Sequence, residues 1–149
     1  MRALLQRTSG ARVRVGDEVV GEIGRGLVVL LGVGPDDDEA TAESLARRVS
    51  ELRIFDDEAG RTNLSLLDVG GAALVVSQFT LYADTRRGRR PGFTGAAPPE
   101  LAERLYLAFV EAVRNAAVKD VATGRFGEVM ALELVNDGPF TIWLDTAER

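Results

Sequence analysis

The stretch "LVVLLGV", residues 27–33, is a continuous apolar run in a chain of 149 residues. A run without polar alternation is typical of a strand that is buried on both faces, so we predict a central strand here. Around it we predict a first strand over residues 3–7. We also predict a hairpin whose strands, residues 13–15 and 19–20, flank Gly16-Asp17-Glu18.

Two helices are predicted to accompany these strands. The first follows Pro35 and three aspartates, since negative charge is favoured at a helix N-terminus. The second follows Pro98 and Pro99. Both have apolar residues at helical spacing, which are Leu45, Val49 and Leu52 in the first helix and Leu101, Leu105, Ala108, Phe109 and Ala112 in the second.

The rest of the chain completes an α+β pattern. Strands are predicted over residues 73–81 and, on both sides of Gly138-Pro139, over residues 121–144. Residues 56–71 are interpreted as a surface connection, because loops are usually only connections. No repeat or long linker divides the chain, so we predict one α+β domain over residues 1–149.

The composition limits the possible chemistry. The chain is 46% hydrophobic and 28% charged, with a net charge of −5, as in an ordinary soluble globular protein. No signal-peptide pattern or membrane span is predicted, and we expect a cytoplasmic protein. The chain has no histidine and no cysteine. This excludes zinc sites built from those ligands, Ser-His-Asp and Cys-His hydrolysis, and imidazole acid–base catalysis.

The segment Ser77-Gln78-Phe79-Thr80-Leu81 places polar side chains at the end of an apolar strand. Strand alternation predicts Gln78 and Thr80 on one face, and Ser77 and Phe79 on the other. Strand ends often hold ligand groups, but a strand can also simply emerge into solvent. The residues alone support both readings equally.

Four arginines, Arg86, Arg87, Arg89 and Arg90, stand within five positions of a Gly/Pro-rich stretch that ends at Phe93. Arginine binds phosphate in a bidentate manner, and an aromatic ring can stack on a base. The alternative is a solvated charged loop. The concentration of charge in an acidic chain favours phosphate contact.

The stretch "LVNDGPFTIW", residues 134–143, combines strand-forming residues with an internal Gly138-Pro139. Proline cannot donate to a sheet ladder, so it belongs at an edge, a bulge or a turn. From the spacing alone, an ordinary turn is the simpler interpretation.

Together these segments resemble the D-aminoacyl-tRNA deacylases, the chirality-proofreading hydrolases of translation. The resemblance runs from "MRALLQR" through "GEIGRGLVVLLGV", "RIFDDEAGRTNLSLLDVGG" and "VVSQFTLYADTRRGRRPGF" to "TGRFGEVMALELVNDGPFTIWL". It implies a largely antiparallel, barrel-like α+β fold with two main helices, assembled as a homodimer. The implied activity is hydrolysis of the ester of D-aminoacyl-tRNA, and of glycyl-tRNA as well. No cofactor, metal, membrane or DNA partner is expected.

The resemblance also assigns roles to residues. It implies that the Gly138-Pro139 bond is cis and that this dipeptide enters the active site of the partner subunit. There its carbonyl oxygens are expected to face the amino acid and to leave no room for an L side chain. Arg7 is implied to brace that loop. Ser77, Gln78 and Met130 are expected to bind substrate.

The resemblance implies catalytic roles for Phe79 and Thr80, and the concentration of charge predicts tRNA-binding roles for Arg86, Arg87 and Arg89. Backbone N–H groups at Phe79 and Thr80 are expected to stabilise the oxyanion. A threonine hydroxyl without an adjacent base is a poor nucleophile, so we favour positioning by Thr80.

Two residues depart from the family pattern. Phe140 stands where valine is commoner, and Glu128 stands where a small residue is usual, so the pocket shape can differ here.

Two other functions stay open. The first alternative is a non-catalytic RNA-binding protein of the same fold. The second is a related hydrolase of another aminoacyl or acyl ester.

Overall fold

The apolar run at residues 27–33 forms β3, Gly26–Gly32, inside a six-stranded sheet. In the computed structural model, which describes residues 1–148, β3 pairs antiparallel with β1 (Arg2–Val15) and parallel with β6 (Ala72–Ser77). Six of its seven residues are buried. The predicted central strand is therefore confirmed.

The remaining strands are β2 (Glu18–Ile23), β4 (Phe55–Asp56), β5 (Thr62–Leu64), β7 (Val121–Thr123) and β8 (Ala131–Asp145), and the helices are α1 (Glu39–Glu51), α2 (Leu66–Val69) and α3 (Pro99–Asn115). Both predicted main helices are present as α1 and α3. Asp38 caps α1, because its side chain accepts the Thr41 N–H at 2.8 Å. None of the helices in residues 1–148 is long and apolar enough to cross a membrane.

β1 is the strand that connects the sheet. Its first half pairs with β3, its second half pairs with β2, and β8 pairs antiparallel along its opposite edge. β6 and β7 continue the sheet beyond β3 in parallel pairing. β2 and β7, the two ends of the strand order, lie against each other. The approach is so close that a side chain on Gly21 of β2 would overlap the carbonyl oxygen of Thr123 in β7. The sheet thus curls into a nearly closed barrel, and the predicted α+β, largely antiparallel, barrel-like fold is confirmed.

Two apolar cores fix the two faces of this sheet. The larger core joins the sheet to α1 and α3 through residues such as Leu27, Leu45 and Phe109. The smaller core is formed by the strands alone and includes Val28 and Leu74. Because β3 contributes to both cores, it is apolar along its whole length.

The interpretation of residues 56–71 as a surface connection is wrong for part of that segment. β4 and β5 form a two-stranded sheet, and α2 follows with Leu66 fully buried. A capping box begins α2: the Ser65 hydroxyl accepts the Asp68 N–H at 3.1 Å, and the Asp68 carboxylate accepts the Ser65 N–H at 2.8 Å. The segment therefore covers the edge of the larger core.

The strand predicted over residues 73–81 ends earlier, at Ser77. Residues Phe79–Tyr82 form a 3₁₀ turn, so the predicted alternation of Gln78 and Thr80 against Ser77 and Phe79 does not hold. The apolar pattern continues through Leu81, which explains why the strand was predicted too long.

The contact between β3 and β6 gives a prediction about stability. Gly26→Ala places a methyl group onto the backbone of Ala72, which cannot swing away. We expect the free energy of unfolding to fall by about 1–3 kcal/mol. Gly24→Ala is the matched control, because a Cβ there meets nothing within 4 Å. Urea denaturation measures both variants. Equal midpoints would contradict the close approach of the two strands.

Candidate active site

A cavity of about 700 Å³ opens where β6 ends. Ser77, Gln78 and Phe79 line it at the end of β6, together with residues 126–130 and Leu132. Further lining residues lie before and at the start of α3, namely Phe93, Ala96, Ala97, Pro99 and Ala102. The wall is mostly apolar, with a few polar groups at the strand end, which is the usual character of a small-molecule site.

The 3₁₀ turn after β6 leaves backbone donors without partners inside the turn. Its first hydrogen bond runs from the Leu81 N–H to the Gln78 carbonyl at 3.2 Å. The N–H groups of Phe79 and Thr80 precede that bond, so the turn itself offers them no acceptor. These are the two donors that the sequence predicted for an oxyanion.

The Thr80 hydroxyl is held by its neighbour. The Gln78 side-chain amide donates to Thr80 Oγ1, which leaves the hydroxyl proton available for donation. Within residues 1–148, that is the one side-chain hydrogen bond of Thr80, and no carboxylate contacts it. The arrangement suits positioning better than nucleophilic attack, because a nucleophile needs an adjacent base.

Phe79 connects the cavity to the arginine-rich segment. Its ring is 55% exposed and packs edge to face on Phe93, with 5.1 Å between the ring centroids. Phe93 also lines the cavity. An exposed aromatic pair at the mouth of a cavity offers a stacking surface.

The Gly-Pro dipeptide lies in a four-residue bulge of β8. Asn136 pairs with Thr8, and Thr141 pairs with Gln6, so the four residues 137–140 of β8 face Arg7 alone. β8 therefore continues through the proline instead of ending in a turn, and the Gly138-Pro139 bond is cis. A bulge lets a strand present residues away from its ladder.

Asn136 closes this bulge. Its side-chain Oδ1 accepts the Phe140 N–H at 3.2 Å, and its side-chain Nδ2 donates to Thr141 Oγ1 at 2.9 Å. Gly138 has φ +117°, a conformation that L side chains rarely adopt. No role was predicted for Asn136 from the sequence, although Asn is a common turn residue and stands just before Gly-Pro.

Arg7 supports the bulge from β1. Its side chain is largely buried; Nη1 donates to the Ile54 carbonyl at 2.7 Å, and Nε donates to the Asp137 carbonyl at 3.3 Å. The guanidinium also lies over the Phe140 ring at 5.0 Å. A Cβ on Gly138 would lie 2.8 Å from Arg7 Nη2. Arg7 therefore contacts the bulge directly, and its bracing role stays a prediction.

The chain does not bring its two signature segments into one cavity. Ser77, Gln78, Phe79 and Met130 line the cavity, and Thr80 follows in the turn. Arg7, Gly138 and Pro139 form the bulge and do not line that cavity. Gly138 and Pro139 are exposed.

The arginine-rich segment forms a separate loop. The backbones of Asp84 and Gly92 bond to each other at 2.7 and 2.9 Å and close its base. The Asp84 carboxylate binds Arg86 at 2.7 Å, and the hydrogen bonds from Arg86 hold the pKa of Asp84 below its usual value. Arg87 and Arg90 line a shallow cavity of about 570 Å³ with Arg86. Arg90 was not among the three arginines predicted to bind tRNA.

Among residues 1–148, no group of three or more His, Asp, Glu or Cys side chains is placed to hold a metal ion. The groups that the cavity does offer are backbone N–H groups, an amide, hydroxyls and Glu128.

Solved structures share this architecture. The c-Myc DNA Unwinding Element Binding Protein superposes with a TM-score of 0.93 at 39% sequence identity, covering 98% of this chain and 99% of that chain. A probable eukaryotic D-amino acid tRNA deacylase superposes with a TM-score of 0.86 at 21% identity, covering 96% and 97% of the two chains. The fold class is therefore that of barrel-like α+β proteins, and it includes this deacylase.

The family follows from the sequence comparisons. The family model described as D-Tyr-tRNA(Tyr) deacylase matches residues 4–145. The D-aminoacyl-tRNA deacylase of Roseiflexus sp. (strain RS-1) is 63% identical over 147 residues, covering 99% of this chain and 94% of that protein. The one of Symbiobacterium thermophilum is 60% identical over 146 residues, covering 98% and 96%. The chain belongs to the D-Tyr-tRNA(Tyr) deacylase family, and the predicted membership of the D-aminoacyl-tRNA deacylases, which are hydrolases, is confirmed.

Proposed function

We propose that this chain hydrolyses the ester bond between a D-amino acid and the 3′-terminal ribose of tRNA, and that the cavity at the end of β6 binds the aminoacyl group. The observation that carries the proposal is the pair of N–H groups at Phe79 and Thr80, which the 3₁₀ turn leaves free beside the cavity. Family membership supplies the substrate class.

Hydrolysis in this site relies on the backbone. The N–H groups of Phe79 and Thr80 stabilise the oxyanion that forms when water attacks the ester carbonyl, and one good donor contributes about 3–4 kcal/mol. Thr80, oriented by Gln78, positions the substrate. The ester is already activated by its α-ammonium group, and the ribose 2′-hydroxyl assists the attacking water. No cofactor takes part.

Selection against L-amino acids comes from the bulge of a second subunit. Gly138 and Pro139 are exposed and are held outward on β8 by Arg7 and Asn136. In a two-fold homodimer, each bulge enters the partner's cavity and presents carbonyl oxygens to the α-ammonium group. A wall that only excludes an L side chain also accepts glycine, so glycyl-tRNA is a substrate.

The arginine-rich loop holds the tRNA backbone. Phe79 and Phe93 are in contact, so the loop begins beside the cavity. Arg87 and Arg89 are exposed and supply phosphate contacts, whereas Arg86 contributes less because Asp84 binds it. The partner is thus the 3′ end of aminoacyl-tRNA.

We place the protein in the cytoplasm. We expect no DNA partner, since the chain is acidic outside this loop.

A deacylation assay with one tRNA tests the function. We expect hydrolysis of D-Tyr-tRNA and Gly-tRNA, while L-Tyr-tRNA decays at its spontaneous rate, because the L side chain meets the Gly-Pro wall. Sedimentation of the same preparation at micromolar concentration is expected to show a dimer. Binding of all three tRNAs without any hydrolysis would favour the RNA-binding alternative, and a fully active monomer would rule out the cross-subunit site.

Two variants separate backbone catalysis from a covalent mechanism. Thr80→Ala removes one positioning contact, so we expect single-turnover deacylation to slow by up to about tenfold. Gly138→Ala is expected to lose nearly all activity, because its methyl group fills the partner's pocket and also crowds Arg7. Urea denaturation of both variants controls for misfolding. A trapped acyl-Thr80 ester, or complete loss in Thr80→Ala beside an active Gly138→Ala, would overturn the mechanism.

The loop is tested through the salt dependence of tRNA binding. Replacing Arg86, Arg87 and Arg89 together with alanine is expected to weaken binding and to reduce the salt slope, by about 0.7–0.9 for each lost phosphate contact. Arg86→Ala alone is expected to change the slope least. Cleavage of a small aminoacyl-adenosine analogue is expected to change little. The control replaces Arg47 and Arg61, which are exposed arginines outside the loop. An equal loss on both substrates would make the loop structural.

A further inference from the structure

The 3₁₀ turn Phe79–Tyr82, which carries the proposed oxyanion donors, is anchored at its two ends by different means. At its start, the backbone N–H of Gln78 donates to the Leu31 carbonyl of β3 at 2.8 Å. Near its end, the Leu81 carbonyl accepts a hydrogen bond from a side chain, since Arg2 Nη1 of β1 donates to it at 2.9 Å. The second anchor can therefore be removed by a mutation, whereas the first cannot.

Arg2 is itself held by groups on both sides of the turn's end. Its Nε donates at 2.9 Å to the carboxylate of Asp145, which is buried and stands directly opposite Arg2 in the ladder of β1 and β8. The guanidinium carbon lies 4.3 Å from the ring centroid of Tyr82 and 5.6 Å from that of Trp143. A guanidinium that donates in two directions and stacks on aromatic rings has a fixed orientation. Arg2 thus connects the end of β8 to the end of the turn.

The turn also packs tightly on the end of β3. A Cβ on Gly32 would lie 3.1 Å from both the Gln78 carbonyl oxygen and Leu81 Cβ, and a Cβ on Gly34 would lie 2.8 Å from Tyr82 Oη. β3 therefore fills one side of the turn, and Arg2 contacts it from β1. The N–H groups of Phe79 and Thr80 directly precede Leu81, so a shift of the Leu81 peptide changes their direction as well.

We propose that Arg2 is a positioning residue for deacylation, which holds the Leu81 carbonyl and thereby keeps the Phe79 and Thr80 N–H groups aimed at the ester carbonyl. The inference rests on the proposed function, because these donors matter only if an ester is hydrolysed beside them. Arg2 does not line the aminoacyl cavity, so it acts through the turn and not on the substrate. Oxyanion donors must lie within roughly 2.7–3.1 Å of the developing charge, so a small displacement weakens them.

The first test replaces Arg2 with methionine, which keeps an unbranched chain beside Tyr82 but has no donor. Loss of a whole oxyanion donor slows catalysis about 100- to 1,000-fold. Misdirected donors keep part of their effect, so we expect the single-turnover rate at saturating enzyme to fall roughly tenfold in Arg2→Met. The enzyme concentration for half-saturation is expected to stay unchanged. D-Tyr-tRNA, glycyl-tRNA and a small aminoacyl-adenosine analogue are expected to lose the same factor, because all three have the same ester carbonyl.

Arg2→Lys separates the contact with the turn from the ion pair. Arg2 uses different nitrogens for Asp145 and Leu81, whereas lysine has only one. An ammonium paired with Asp145 keeps the charge pair but weakens the bond to Leu81. We therefore expect a urea midpoint close to that of the unchanged protein, together with a saturated rate that is roughly threefold lower.

Arg12→Met is the matched control. Arg12 also lies on β1 and pairs with the acid directly opposite it on β8, since its Nε donates to the Glu133 carboxylate at 2.8 Å. Within residues 1–148, Arg12 forms no hydrogen bond or ion pair with the turn. Its saturated rate is expected to equal that of the unchanged protein.

Each outcome decides the role of Arg2. A lower saturated rate in both Arg2 variants, shared by all three substrates at unchanged half-saturation, supports the proposal. A full rate in folded Arg2→Met or Arg2→Lys overturns it, and Arg2→Lys decides alone if Arg2→Met does not fold. A loss confined to the two tRNA substrates, or seen only as weaker binding, also overturns it and assigns Arg2 to tRNA contact. An equal loss in Arg12→Met overturns it in favour of strand pairing in general.

Failure of the proposed function gives a different result. If the unchanged protein hydrolyses none of the three esters, the proposed deacylase activity is contradicted before any variant is compared.

Discussion

The burial of the Arg7 guanidinium under the β8 bulge is the interaction on which the bulge, and with it the proposed cross-subunit site, depends. A guanidinium cannot be deprotonated in a protein, so removing it from water is costly unless acceptors surround it. Here the Ile54 and Asp137 carbonyls accept its protons, and the carboxylates of Asp56 and Asp137 lie at 3.7 and 3.5 Å. Arg7 thereby ties three separate parts of the chain together: β1, the β4–β5 hairpin and the bulge. The bulge keeps its shape because its residues serve as the ligands of a buried charge.

This arrangement explains why the chain exposes Gly138 and Pro139 at all. In the proposed dimer a second chain covers the exposed Gly138 and Pro139. β8 pairs with β1 along one edge, and it bears the exposed side chains of Val135 and Trp143. Exposed apolar residues on a long strand are a liability for a lone chain and a suitable surface for a two-fold partner. The separation of the bulge from the cavity within one chain is thus the feature that the proposed dimer accounts for.

Most of the fold was predictable because its signals are local. The unbroken apolar run of β3 and the helical spacing of Leu45 and Val49 reflect burial directly. The short elements at residues 56–71 were missed, since a two-residue strand and a four-residue helix are held by tertiary contacts and by the Ser65 cap instead of periodicity. The end of β6 was missed for the opposite reason: Phe79 and Leu81 continue the apolar pattern although the backbone has already turned. The residues alone did not predict the contacts of the bulge, because Arg7 and Asp137 lie 130 residues apart, and only the family resemblance suggested a role for Arg7.

A site without histidine or cysteine changes what can control specificity. Backbone N–H groups and carbonyls have fixed partial charges that do not titrate and cannot be exchanged by mutation, so the chemistry of the ester stays constant while side chains around it vary. In the proposed dimer the partner's Gly-Pro bulge excludes one side of the α-carbon, and such a wall is indifferent to the chemistry of the other side. In the proposed site, discrimination among D-amino acids therefore depends on the side chains around the backbone donors and not on the donors themselves.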